Sequence, residues 1–527
     1  YLLGDPGATG VVVENADLAE RVFAVEDELD LSFVVVMDDP GEYGDREDVH
    51  TLAEVHDRGR DVFDPEAYES WLDERDVEDL ASLIYTSGTT GQPKGAKLTH
   101  WNFRSNVNQI RKRVAPRPER PEGVPSIGAD ARSVSYLPLA HVFERTAGHF
   151  VMFASGATVA YAETPDTLQE DFNLVEPNTA TSVPRVYEKI YEAIREQASE
   201  SALKKRIFEW ATDVGQAYHE SDSPGLGLSA KQAVADRLVF ETVRENLGGN
   251  LEMLISGGGS LSAELCSLYH AMGLPIFEGY GLTETAPVLT VNPPEDPKVG
   301  TIGPALPDVD LHVDTTVVPQ EKYDDVDGET GELLARGPNV FGGYWNNPEA
   351  TETAFSEFEG EEWFRTGDVV TVRPDGYLVF RERAKQIAVL STGKNVAPGP
   401  IEDAFAASDL VEQVLVVADA RKFVSAVVVP NDDGVRRWAD RQGIDVPDDP
   451  EAIVEDDRVR ERIADVVEEV NQGFEKHERI KKFVLVPQEF TEDNDMLTPT
   501  MKKKRRNILE QFEEEIESMY EETGVDA

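Results

Sequence analysis

Short apolar runs alternate with longer amphipathic or polar stretches along most of the chain. Residues 10–14 and 31–37, rich in Val and Phe, read as strands, and the acidic stretch 17–29 between them reads as a helix. Residues 38–80 are mostly polar linker and helix. The run Leu80 to Ile84 is strand-like and resumes at Ala96 to His100 after a polar loop. A helical pattern continues to about Arg113, followed by a Pro-rich connector. The next strand breaks at Pro138 and delivers His141, Glu144 and Arg145 into or near a helix start; a small-residue helix and a second strand fill 147–162. Residues 186–246 are largely helical. Leu251 to Ile255 and Pro275 to Glu278 read as strands, separated by the glycine-rich turn Ser256 to Ser260 and a helix from Ser262 to Ala271. Alternation of this kind predicts α/β layering, and turns at the ends of successive strands are where open sheets place ligands.

The pattern changes between 300 and 380, where short strands and tight turns predict a small β-rich subdomain. Pro374-Asp375-Gly376 between two apolar runs predicts a hairpin. A charged break at 381–386 marks a domain boundary. The remainder reads as a smaller α+β domain, with helices around 451–474 and a late strand in KKFVLVP. Near its end Lys502, Lys503, Lys504, Arg505 and Arg506 form a basic knot that is expected to begin a helix. Such a cluster is often a solvated face, but in so acidic a chain it suggests an anionic ligand.

With 527 residues, the chain is long enough for about two to four domains. The 40% hydrophobic content suits globular folding, and no apolar run approaches the roughly 18 residues of a membrane span. Peripheral membrane contact stays compatible with this. Acidic residues number 102 against 50 basic ones, a formal charge of -52. The apolar segments argue against disorder, so the expectation is a solvated acidic surface suited to a high-salt cytoplasm, where screening relieves self-repulsion. No long basic stripe exists to displace counterions, which argues against a nucleic-acid partner. The one cysteine, Cys266, excludes an intrachain disulfide and fits a reducing interior. The start at Tyr1, without methionine, reads as an interior cut of a longer protein.

Chemistry concentrates in a few stretches. Tyr85 to Gly95, YTSGTTGQPKG, offers hydroxyls, glycines and Lys94 in one loop, a candidate cradle for a phosphate chain. It differs from the common nucleotide loop because Lys94 follows Pro93 and precedes Gly95, leaving no adjacent hydroxyl for magnesium. The bland alternative is an exposed turn. In GYGLTETA, Thr283 would reach a phosphoryl oxygen and Glu284 would supply a hard oxygen ligand for Mg2+; alone, the segment reads as a helix N-terminus. Asp368, after FRTG, would take the two hydroxyls of a ribose, or else cap its own turn. His141 would face a crevice, or sit satisfied beneath a loop.

In their order along the chain, these motifs resemble the adenylate-forming superfamily, the AMP-forming acyl-CoA synthetases. YLPLAHVFER, residues 276–287 and STGKNVAPGPIE at 391–402 are most similar to long-chain fatty acyl-CoA ligases. The acidity suggests a haloarchaeal-like member, and the resemblance implies an upstream portion missing here, in keeping with the start at Tyr1. The resemblance implies an α/β fold whose large N-terminal domain of layered subdomains (1–381) is joined by a hinge (382–385) to a mobile α+β C-terminal domain (386–527). It implies ATP, Mg2+, a fatty acid and CoA as ligands. Thr86, Ser87, Gly88, Thr89, Thr90 and Lys94 match the phosphate-binding loop, and His141 matches a histidine near the acyl carboxylate. Gly257, Gly258 and Gly259 match a turn beside adenine, Tyr280 the aromatic packed on adenine, and Thr283 and Glu284 the α-phosphate and magnesium residues. Asp368 and Arg383 match the ribose-binding pair, Lys502 the mobile C-terminal lysine, and Gly393 the position passed by the pantetheine arm. Two departures stand out: Gln386 follows Lys385 at the hinge, where many relatives carry an aspartate, and TMKKKRR replaces the usual terminal motif, so that Lys503 and Lys504 compete with Lys502 for its role. Other readings are a medium-chain or aryl acyl-CoA ligase, or a nucleotide-binding protein with a decayed site.

Overall fold

The computed structural model describes the chain apart from residues 87–92, 165–166, 199–200, 220, 222, 319–326, 385–387, 393, 406–407, 448, 499–500 and 522–527. Two compact units emerge, Tyr1–Arg104 with Phe341–Phe355, and Ser105–Val340 with Ser356–Ala527.

In the first unit, β1 (Gly10–Val13), β2 (Phe33–Val36) and β3 (Val49–Thr51) form a parallel sheet. Ala19 and Val22 of the Ala16–Phe23 helix close its core against Val34, Val36 and Val49. That helix is shorter than the 17–29 expected; Asn15 caps its start, and the acidic residues 26–28 form a separate 3-10 turn. β3 lies within the stretch read as linker, because three residues are too few to show a period. The following helix, Leu52–Val62, opens with a capping box between Thr51 and Glu54. β4 (Leu80–Thr86) and β5 (Lys94–Thr99) pair antiparallel, as the flanks of the polar loop predict.

The second unit begins its strands with the parallel pair β6 (Arg132–Ser135) and β7 (Thr158–Tyr161). Next, β8 (Thr179–Ser182), β9 (Met253–Ser256), β10 (Ile276–Gly281) and β11 (Val288–Val291) form one sheet in the order β11-β10-β9-β8. β8, β9 and β10 run parallel, and β11 turns back antiparallel. Helices 202–219 and 263–271 pack on this sheet, where the Tyr187 hydroxyl donates to the Ile255 carbonyl at 2.9 Å and Tyr269 donates to the Tyr187 carbonyl at 2.7 Å. The buried Tyr187 and Tyr269 thus carry their polar ends to backbone acceptors.

The β-rich region contains β12 (Asp310–Asp314), β13 (Glu329–Arg336), β14 (Phe355–Phe358), β15 (Glu361–Val372) and β16 (Leu378–Arg383). β15 and β16 meet in the expected hairpin at Asp375-Gly376, Gly376 holding φ +82. After the small antiparallel pair β17 (Ala388–Val389) and β18 (Asn395–Val396) come β19 (Val411–Val417), β20 (Val424–Pro430) and β21 (Ile480–Leu485) in that sheet order. β20 is buried at every position because separate apolar clusters cover both of its faces, which explains its unbroken Val-rich run. The helix expected from Lys502 begins only at Arg505. Met501 holds φ +61 and Lys503 bridges to Leu497, so Lys502 lies in a tight turn before the helix.

Candidate active site

β10 ends in a turn that is clamped from several directions. A Cβ on Gly281 would stand 1.9 Å from the Pro287 carbonyl oxygen, so only glycine lets β10 and β11 close here. Thr283–Thr285 form a single 3-10 turn, and Ala286 holds φ +63. The buried Thr146 hydroxyl donates to the Ala286 carbonyl at 3.1 Å, and Asn339 donates to the Thr285 carbonyl at 2.8 Å. Asn106 both donates to and accepts from the Val288 backbone, at 2.7 and 3.0 Å. The result is a rigid ledge carrying half-buried Thr283 and buried Glu284. Gly281→Ala is expected to destabilise the protein by about 2–3 kcal/mol through overpacking, read as a lowered urea midpoint; an unchanged midpoint would sink this account of the ledge.

Asp368 lies within β15, in register with Arg383 of β16, and not in the self-capping turn that its local sequence also allows. It is 2% exposed. Tyr280, reaching across from β10, donates its hydroxyl to Asp368 Oδ2 at 2.7 Å, while Arg383 Nε stands 3.2 Å from Oδ1. Burial raises the Asp368 pKa above the ordinary carboxylate range; Arg383, the Tyr280 hydrogen bond and Lys502 pull it back, and Glu284 pushes it up. Oδ1 accepts no well-formed hydrogen bond among the described residues and has the Arg383 guanidinium as its ion-pair partner. Tyr280, expected as an aromatic platform, has its ring 6.1 Å from that of Phe380, and its hydroxyl also holds Asp368 in place.

Lys502 converges on the same residues. Its backbone N–H donates to the Thr498 hydroxyl at 3.0 Å, and Thr498 N–H donates back to the Lys502 carbonyl at 2.8 Å, so a closed turn presents the side chain. Water reaches that side chain, yet protein surrounds it enough for desolvation to bring its pKa down to about 8. Arg383 adds to the lowering, while Asp368 and Glu284 oppose it. The neighbouring cations are engaged elsewhere: Lys503 pairs with Glu402 at 2.8 Å and Lys504 with Asp495.

His141 stands in the turn after β6. Burial, and secondarily the charge of Lys502, depress its pKa to about 4. The Phe143 backbone N–H donates to Nδ1 at 3.2 Å, so the neutral ring carries its proton on Nε2. The chain then enters one π-helical stretch, Glu144–Phe150, whose buried Glu144 accepts from Ser135 at 2.6 Å. Gly257 packs under Phe143, where a Cβ would approach its ring to 2.9 Å; Gly258 holds φ +81, and Gly259 faces Pro184. The structure therefore gathers His141, Tyr280, Glu284, Asp368, Arg383 and Lys502 into one electrostatic neighbourhood.

Thr86 and Lys94 belong to the first unit, as register partners at the mouth of the β4–β5 hairpin. Lys94 Nζ lies 5.2 Å from the Tyr344 ring centroid, and Tyr85 donates to Asp5 at 2.5 Å. Ser87, Gly88, Thr89, Thr90 and Gly393 lie outside the described residues. Among the described residues no group of three or more His, Cys, Asp or Glu could hold a metal ion. A lone buried carboxylate such as Glu284 does fit Mg2+, which commonly takes one or two protein carboxylates and completes its shell with substrate phosphates and water. The clamp residues Asn106, Thr146 and Asn339 carry no local motif. Only the buried amide side chain in an otherwise helical stretch, Asn106, gives a sequence-level hint.

The AMP-binding enzyme family matches residues 1–345, and the AMP-binding enzyme C-terminal domain matches residues 385–524. The long-chain-fatty-acid–CoA ligase FadD15 of Mycobacterium bovis is 38% identical over 452 residues, covering 84% of this chain and 69% of the relative. The human long-chain-fatty-acid–CoA ligase 1 is 32% identical over 448 residues, covering 84% of this chain and 61% of the relative. In fold, the chain is similar to the A domain of carboxylic acid reductase from Segniliparus rugosus in complex with AMP, with a TM-score of 0.72 at 24% identity over 99% of this chain and 76% of that one. The fold is that of adenylate-forming enzymes, with a large N-terminal and a small C-terminal domain, and the chain belongs to the AMP-binding enzyme family.

Proposed function

We propose that this protein is a long-chain fatty acid–CoA ligase, converting ATP, a fatty acid and CoA into acyl-CoA, AMP and diphosphate through an acyl-adenylate. The observation that carries this reading is the convergence of Lys502 on Asp368, Arg383 and Glu284, with neutral His141 beside it. Its similarity to named long-chain-fatty-acid–CoA ligases supports the substrate class.

In the first half reaction a carboxylate oxygen of the fatty acid attacks the α-phosphorus, and the bond to the β-phosphate bridging oxygen breaks, releasing diphosphate. Asp368 Oδ1 and Arg383 hold the ribose, so the α-phosphate stands in line with the acyl carboxylate. Thr283 and Lys502 meet the charge that builds on the phosphoryl oxygens. Lys94 and the hydroxyls of Thr86, Ser87, Thr89 and Thr90 take the departing phosphates, with Gly88 letting the backbone approach. Glu284 would hold Mg2+, which supplies charge neutralisation on the phosphates. His141, neutral with Nε2–H outward, donates a hydrogen bond to the acyl carboxylate and is too weak a base to accept its proton.

In the second half reaction the CoA sulfur attacks the acyl carbon and AMP leaves. We take 382–385 as the hinge for this exchange, between the domain 1–381 and a mobile domain 386–527, and assign Gly393 to the path of the pantetheine arm. The charge of -52 is read as an adaptation to a high-salt cytoplasm. No helix among the described residues is long and apolar enough to cross a membrane, and contact with the inner membrane face would be peripheral. Nucleotide products are to be separated after incubation with ATP, CoA and fatty acids of rising length in multimolar KCl. AMP formation that peaks with long chains is expected; ADP, or AMP that ignores the fatty acid, would overturn the reading.

A further inference from the structure

We propose that Arg185 is a positioning residue for adenylation: its ion pair with Glu412 seats the C-terminal segment so that Lys502 stays at the nucleotide cluster, and the pair opens before thioester formation. This rests on the two-step reading above.

Arg185 is the second residue of the Pro184–Ala198 helix. Its guanidinium pairs with Glu412, 227 residues further along the chain, and lies 3.1 Å from Glu188 and 3.5 Å from Glu192. The Arg185 and Glu412 side chains are only 18% and 16% exposed, unlike the open surface pairs that contribute little. Removing the guanidinium would leave three carboxylates crowded together, and their repulsion favours parting.

The same helix grips the C-terminal segment at its far end, where Arg195 pairs with Asp409, and Glu196 meets Arg437 at 3.6 Å. Arg185 and Glu196 are separated by about three helical turns, so these contacts lie along one face. Glu412 is also braced by Asn431, which donates to its second oxygen at 2.6 Å.

The route from this grip to Lys502 is short and stiff. Glu412 belongs to β19, and two residues on, the Val414 carbonyl accepts from Lys503 Nζ at 2.5 Å. Val416 N–H donates to Glu402 at 2.8 Å, and its carbonyl accepts from Arg505. Buried Glu402 also receives Lys503 at 2.8 Å and Arg505 at 2.5 Å. Lys502 directly precedes this truss, so where Arg185 holds β19 sets where Lys502 points.

The test separates the half reactions. In Arg185→Gln, fatty-acid-dependent diphosphate release is expected to fall about tenfold, while acyl transfer to CoA from supplied acyl-AMP stays within about twofold of wild type. Arg185→Lys should recover part of the loss, and Arg185→Gln with Glu412→Gln should be no worse than either alone. Spin labels on Leu226→Cys and Asp440→Cys report the domains directly, since Cys266 is buried. The glutamine variant should show a lengthened or broadened distance at unchanged secondary structure. Equal losses in both half reactions, or an unchanged distance, would reject the seat. Absence of AMP formation in the wild type would reject the functional reading while leaving the distance measurement to judge the seat.

Discussion

Lys502→Ala is expected to lower fatty-acid-dependent diphosphate release by about 10²–10³-fold, the scale seen when one preorganised charge-stabilising group is removed. Acyl transfer from supplied acyl-AMP should change by less than about threefold, because the proposed domain exchange takes Lys502 away from the departing phosphate before that step. Lys503→Ala, by contrast, removes a brace on β19 and not the phosphoryl-facing amine. A pH profile sharpens the assignment. Lys502 is cationic below its pKa of about 8, so kcat/KM for adenylation should fall as pH rises through that value. His141, with a pKa of about 4, is already neutral across the neutral range and contributes no limb there. Equal loss of both half reactions in Lys502→Ala, or a profile flat to pH 10, would remove Lys502 from its role.

Asp368→Ala should reduce kcat/KM for ATP by about 10–100-fold, since a hydrogen bond to a charged acceptor is worth about 1.5–3 kcal/mol and the ribose would lose the one to Oδ1. The diagnostic is the sugar. Wild type should prefer ATP to 2′-deoxy-ATP clearly, and the variant should treat them nearly alike. Tyr280→Phe should reproduce a fraction of the effect, because the Tyr280 hydroxyl holds Oδ2 and so aims Oδ1. A variant that loses activity yet keeps the sugar preference would show that Asp368 serves the β15–β16 pairing and not the ribose.

Much of the scaffold was legible because its strands are buried on both faces. β9 and β20 announce themselves as apolar runs, and Gly376 marks the turn its geometry requires. What escaped was set by distant partners. Asp368 reads locally as a turn residue, yet pairing with Arg383 places it inside a strand. Lys502 reads as the start of a helix, yet the bridge between Leu497 and Lys503 holds it in a turn. Asn106 meets Val288 across 182 residues, and Arg185 meets Glu412 across 227, separations over which periodicity carries no information. Sequence motifs thus named most of the groups proposed to touch substrate, and the groups that aim them came only from tertiary packing.

The most direct test is a rapid-quench experiment with ATP labelled at the α-phosphate, excess wild-type protein and a long-chain fatty acid, with CoA withheld. The label should pass into a fatty-acid-dependent acyl-adenylate that is chased to AMP when CoA is added. Label appearing in ADP, or an adenylate that never forms while the fatty acid is bound, would contradict the two-step account.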